Sequence, residues 1–274
     1  MQNIHFDVIT EKGSGELNED AFMHHGMRAA VFDGAGSLVP FRDKDGRTGG
    51  YLAGRIACSI FEESTDSLVD TAVRANSKIA EEMQHAGVDT NTKEHLWSTA
   101  FAAIEVDLER QEFSWAQIAD SLILVMYEDG SHKMLIDNYD HDKGVLTQWK
   151  ELAQQGVTNI RQELNEKLIA LRRTANVQYG VLNGDPAARS RIRQGKESLQ
   201  SVANILLFTD GMILPKEDPR VDDVFDHMAA LFKEGGLERI KQYVRQIEET
   251  DPDCTRYPRY KKGDDITAIA ISFQ

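Results

Sequence analysis

Cysteine is nearly absent from this chain. Its 274 residues include only Cys58 and Cys254, far apart and outside any Cys-x-x-Cys spacing, which excludes a disulfide framework and a thiolate zinc site. Basic residues are in deficit, 31 against 45 acidic, and the formal charge of -14 argues against nonspecific binding to nucleic acid or to an anionic membrane surface. No apolar run approaches the ~18 residues that a membrane span needs. The start, MQNIHFDVITEKG, has neither the basic beginning nor the apolar core of a signal peptide, so the cytoplasm is the expected location. Internal repeats, low-complexity tracts and linkers are also lacking, and a single domain over residues 1–274 is expected.

What the chain does have is carboxylate, placed in a pattern. Ile4 to Thr10 alternates apolar and polar residues and reads as a strand; Asn18 to Phe32 reads as a hairpin whose second strand, Met27 to Phe32, ends at Asp33. A polar loop, Ser37 to Gly50, follows and is expected to flank a site. Helical spacing then covers Tyr51 to His85 in two helices, and Leu96, Ala100, Ala103, Ile104 and Leu108 predict a third over Thr92 to Phe113. Glu128-Asp129-Gly130 marks a hairpin, a second turn is expected around Asn138 to Lys143, and Val145 to Trp149 reads as strand. Lys150 to Arg173 is helix-compatible with a break at Gly156. Val177 to Asn183 and Asn204 to Phe208 read as strands, Val221 to Glu249 as helices, and Ile266 to Phe273 as the last strand. Strands and helices in separate runs favour an α+β class.

A lone Asp-Gly after a strand is an ordinary turn. Here four acidic motifs fall at strand termini: Asn18-Glu19-Asp20, Val31-Phe32-Asp33-Gly34, Phe208-Thr209-Asp210-Gly211 and Gly263-Asp264-Asp265-Ile266-Thr267. Sparse aspartates suit Mg²⁺ or Mn²⁺, which prefer oxygen ligands and retain water.

As a set, in this order, the motifs resemble those of the metal-dependent protein phosphatases of the type-2C family. The resemblance implies a four-layer α-β-β-α sandwich, with two mainly antiparallel sheets face to face, helices outside, and the metal site at one edge. It implies a phosphorylated protein as substrate and hydrolysis of phosphoserine or phosphothreonine by a hydroxide bridging two Mg²⁺ or Mn²⁺ ions. Asp33 resembles the bridging aspartate and the Gly34 carbonyl a metal ligand. Glu19 and Asp20 match the acidic pair, while Asp210 and Asp264 match ligands of the first metal. Asp265 stands where the family commonly has asparagine.

Three places depart from the family pattern. The phosphate-binding arginine expected four residues before Glu19 is Gly15, leaving Lys12, Arg28, Arg42 or Arg47 as substitutes. The histidine often found after Asp-Gly is Ala35. The middle Gly-Asp-Ser motif is not visible; Asp140 or Asp142 is the candidate for its aspartate, and Asp140 the candidate ligand of a third metal. Two other readings of the chain follow: a weakly active or inactive metal-binding relative that works as a regulatory interaction module, and a phosphoesterase for small molecules. A haloacid-dehalogenase reading of VFDGAGS fails, because the second aspartate it needs is Ala35, or Met212 after Asp210. His24-His25, the calcium-loop-like Asp43-Lys44-Asp45-Gly46 and the basic patch Arg189, Arg191, Arg193 and Lys196 read as solvated surface.

Overall fold

The structure, a computed structural model, describes residues 4–137, 139–223 and 225–273. Among these, the alternating segment Ile4–Glu11 forms β1 and pairs antiparallel along its length with β10, Ile266–Phe273. Next to β10 come β9 (Val202–Phe208), β6 (Leu122–Tyr127) and the short β7 (His132–Met134), completing a five-stranded sheet. The second sheet has the order β2 (Ala21–His25), β3 (Arg28–Ala35), β4 (Ser98–Asp107), β5 (Glu112–Ile118) and β8 (Arg193–Ser198). Both sheets are antiparallel throughout.

The sheets meet face to face where β3 and β4 lie over β9 and β10. Helices α1 (Gly49–Glu63) and α2 (Leu68–His85) cover the outer face of the second sheet, each started by a hydroxyl cap: Thr48 Oγ1 accepts from the Tyr51 amide and Ser67 Oγ from the Asp70 amide. Three shorter helices follow, α3 (Lys143–Gln154), α4 (Ile160–Glu163) and α5 (Asn165–Arg173). They gather around their own small cluster of Val145, Trp149, Ile160, Leu164 and Cys254. The long α6 (Phe225–Thr250), kinked at Gly235-Gly236, covers the first sheet through Met228, Leu231, Leu237, Ile240 and Val244. The α+β, four-layer expectation is met. No described helix is long and apolar enough to cross a membrane.

The helix expected over Thr92 to Phe113 is instead β4, a hairpin turn and the start of β5. Every residue from Ser98 to Ile104 is buried, so no polar face exists to set a period. Ala102, Ile104 and Val106 face the sandwich interior, while Phe101 and Ala103 face α1 and α2. A strand sealed on both sides by apolar layers reads like a buried helix.

Val145 to Trp149 is helix rather than strand, its two ends four residues apart on one buried face of α3. Val177 to Asn183 is irregular and contributes only isolated bridges. There the Asn176 side chain takes over the work of a ladder, donating to Asn183 Oδ1 at 2.8 Å and accepting from the Val181 amide at 3.0 Å. Strand β8, RQGKES, gave no apolar signal because it is a polar sheet edge. Asn138 and Val224, within the expected turn and the last helical stretch, lie outside the described residues.

Candidate metal centre

Strand ends from both sheets deliver the acidic side chains to one cleft. Asp33 sits within β3, which runs on to Ala35 rather than stopping at Phe32, and pairs across the sheet with Ala100 of β4. Asp210 opens a 3₁₀ turn after β9, and Asp264 precedes β10. Glu19, Asp33, Gly34, Asp210 and Asp264 line the same cleft. Asp20 lies beneath it, 2% exposed, with its Oδ2 accepting from Thr209 Oγ1 at 2.8 Å. Thr209, the residue before Asp210, thus ties the acidic pair of one sheet to the Thr-Asp-Gly turn of the other. Glu19 is held from the other side by the Thr48 hydroxyl that caps α1.

Gly34 shows why this corner tolerates no side chain. A Cβ there would lie 2.3 Å from the Gly50 carbonyl oxygen and 2.6 Å from that of Glu19, so β3, the acidic loop and the start of α1 meet at backbone distance.

The electrostatics are those of like charges confined together. Desolvation, then the charges of Asp20 and Asp264, push the Asp33 carboxyl well above the ordinary carboxylate range. Desolvation, then Asp33 and Asp264, do the same for Asp210. Asp20 is raised as well, by burial first and then by Asp264 and Asp210, against the Thr209 bond. A divalent cation is the counter-charge that lets such a cluster ionise, and an oxygen-only donor set suits Mg²⁺ or Mn²⁺. The residues present fit such ions.

One member of the cluster was missed in the sequence. Asp120, in the Ala119-Asp120-Ser121 turn between β5 and β6, lines the cleft and adds its charge to Asp33 and Asp210. This turn has the form of the missing Gly-Asp-Ser with alanine for glycine, and Ala119 adopts φ 58°, the left-handed conformation that glycine takes freely. Asp120, His141 and Asp142 place one ligand atom each within 4.8 Å of one another. Asp140 lies in the adjoining groove with its carboxylate 3.6 Å from Lys216 Nζ.

None of the four cations proposed to replace the arginine missing at Gly15 lines the cleft. Arg28 donates to the carbonyls of Ser64 and Asp66 and to Glu105; Arg42 pairs with Glu16; Arg47 pairs with Asp43 and Asp45; Lys12 reaches the Glu16 carbonyl. The Arg47 pairs also explain the calcium-loop-like segment as a charge-paired surface loop. His24 and His25 are exposed at the β2–β3 turn, and Arg189 and Lys196 pair with Asp70 and Glu112. Of the Ser37 to Gly50 loop, Ser37 and Leu38 reach the cleft wall.

Asp265 is a brace. Its Oδ1 accepts from the Gly13 amide at 2.7 Å and its Oδ2 from the Glu19 amide at 2.8 Å, pinning the loop after β1 and the acidic pair to the head of β10. Asparagine would turn an NH₂ toward one of these donors. Asp265→Asn is therefore expected to cost about 1–3 kcal/mol, read from the urea midpoint; an unchanged midpoint would refute the brace.

The fold and the carboxylate cluster together are those of a metal-dependent phosphatase. The chain belongs to the protein phosphatase 2C family, the metal-dependent serine/threonine protein phosphatases, whose model matches residues 11–245. Similar solved structures include the serine/threonine phosphatase PstP of Mycobacterium tuberculosis, 13% identical over 98% of each chain at a TM-score of 0.59. The catalytic domain of PstP in complex with two manganese ions is 14% identical over 100% of this chain and 99% of that one, at 0.58. Stp1 from Staphylococcus aureus is 16% identical over 99% and 96%, at 0.60. At these identities the likeness carries the fold alone. No curated protein matches the chain.

Proposed function

We propose that residues 1–274 act as one cytoplasmic catalytic domain that removes phosphate from phosphoserine and phosphothreonine of proteins. Two Mg²⁺ or Mn²⁺ ions would be held by Asp33, the Gly34 carbonyl, Asp210 and Asp264, with Glu19 and Asp20 adding direct or water-mediated contacts. The observation that carries this reading is that Asp33 and Asp210, two desolvated carboxyls from opposite sheets, line one cleft together with Glu19 and Asp264. For a third ion the favoured ligands are Asp120 with Asp142 and His141, because Asp140 is engaged by Lys216.

When bound, such ions would supply Lewis acidity, lowering the pKa of water and offsetting the charge of phosphoryl oxygens. The chain's own part is placement. The Asp33↔Ala100 register fixes the Asp33 backbone on β4, one residue past the last β2 pair at Phe32, Thr209 orients Asp20, and Thr48 holds Glu19. Lys261, 2.5 Å from Asp264, sits half-exposed at the cleft mouth and tempers the negative charge there.

The test is hydrolysis of p-nitrophenyl phosphate and of a phosphothreonine peptide with Mn²⁺, with and without chelator. Chelator-sensitive turnover of both is expected. Turnover of p-nitrophenyl phosphate alone would move the substrate to a small phosphoester. Mn²⁺ binding without turnover of any phosphoester would replace the enzyme with a regulatory interaction module, the reading that Gly15 favours.

A further inference from the structure

A phosphatase without the arginine at position 15 needs another cation for the phosphoryl group. Among the described residues, three lysine or arginine side chains line the cleft: Arg161, Arg172 and Lys261. Lys261 is committed to Asp264, one of the acidic residues assigned to metal. Arg161 is exposed on α4 and donates to the Tyr260 carbonyl at 3.1 Å.

Arg172, in the last turn of α5, is placed differently. Its Nη1 donates to Ser98 Oγ at 2.9 Å and its Nη2 to the Gly36 carbonyl at 3.4 Å. Both partners are neutral, so the guanidinium is oriented without losing its charge to a carboxylate. Ser98 is itself fixed to β3, where it pairs with Ala35 and donates to the Ala35 carbonyl at 3.2 Å. Gly36 lies three residues beyond Asp33, so the chain between them spans at most about 11 Å. A rigid strand end thus sets the distance between the cation and the carboxylate cluster. A guanidinium always carries its charge, and its planar fork matches two phosphate oxygens at once.

We propose that Arg172 is the phosphate-binding cation of this chain, supplied from α5 in place of the side chain missing at Gly15. Ser98 and the Gly36 carbonyl are its positioning partners. The proposal rests on the phosphatase reading above, and its test separates the two.

Inorganic phosphate is titrated calorimetrically into the Mn²⁺-loaded wild type and the Arg172→Ala, Arg172→Gln and Arg172→Lys variants, and KM and kcat for p-nitrophenyl phosphate are measured beside it. Loss of a charge-assisted contact is expected to weaken phosphate binding and raise KM by roughly 10- to 100-fold in Arg172→Ala, with Mn²⁺ affinity unchanged and partial recovery in Arg172→Lys. Wild-type phosphate affinity in Arg172→Ala overturns the proposal. If that variant does not fold, Arg172→Gln decides, since it keeps a donor for Ser98 without the charge; wild-type affinity there overturns the proposal equally. Should the wild type turn over no phosphoester, the phosphatase reading fails, while lost phosphate binding in Arg172→Gln still supports the anchor.

Discussion

Asparagine in place of Asp33 is expected to lower turnover on the order of 10³-fold and, with metal removed, to raise the melting temperature. The two effects share a cause. Asp33 lies with Asp20, Asp210 and Asp264 in a desolvated cluster, and each ionised neighbour opposes the others. Removing one charge without changing shape relieves the metal-free protein. The same change takes a ligand from the proposed metal pair, so excess Mn²⁺ stabilises the variant less than the wild type. Melting curves in chelator and in Mn²⁺ should therefore cross over. A variant that melts lower in both conditions would make Asp33 a structural residue, and one that keeps full turnover would remove it from the site.

The second large effect is the response of stability to Mn²⁺ as pH changes. The Asp20, Asp33 and Asp210 carboxyls have folded-state pKa values raised above those of the unfolded chain, near 4. Their contribution is fully present below the unfolded value and is lost as pH rises through the folded values. The metal-free protein therefore loses this contribution toward neutral and alkaline pH. Mn²⁺ needs the ionised ligands, so its stabilisation grows over the same range. At a free concentration 100-fold above Kd the gain is about 2.7 kcal/mol, or roughly 5–10 °C in Tm for a chain of this size. Differential scanning calorimetry from pH 5 to pH 8, with Mn²⁺ and with chelator, measures the gap. A gap that stays flat or narrows with pH would sink this account.

Much of the frame was legible because its signals are local. The alternation of Ile4 to Thr10 and the apolar run after Asp265 mark β1 and β10, which pair at the sheet edge. The spacing of Ala53, Ile56, Ala57 and Phe61 marks α1. The acidic motifs predicted to meet do share a cleft, with Asp20 just below it. What escaped depends on the tertiary environment. Strand β4 has an apolar layer on each side and so no readable period. Asp120 was hidden because Ala119 adopts a glycine conformation without being glycine. Arg172 belongs to no motif, and only the folded chain brings α5 against Ser98 and Gly36.

The separate cluster of Val145, Trp149, Ile160, Leu164 and Cys254 gives α3 to α5 a modular character. Among the described residues this cluster buries five side chains fully, with partly buried neighbours such as Leu152 and Leu168, against the extended core of the sandwich, so opening of this segment is expected to cost less free energy than global unfolding. Such an opening would leave the pairing of the strands that carry the acidic side chains intact and would carry away the helix bearing Arg172. Substitutions in α3 to α5 could then retune which phosphorylated surfaces are accepted, and how fast they leave, without disturbing the strand ends where the reaction is placed.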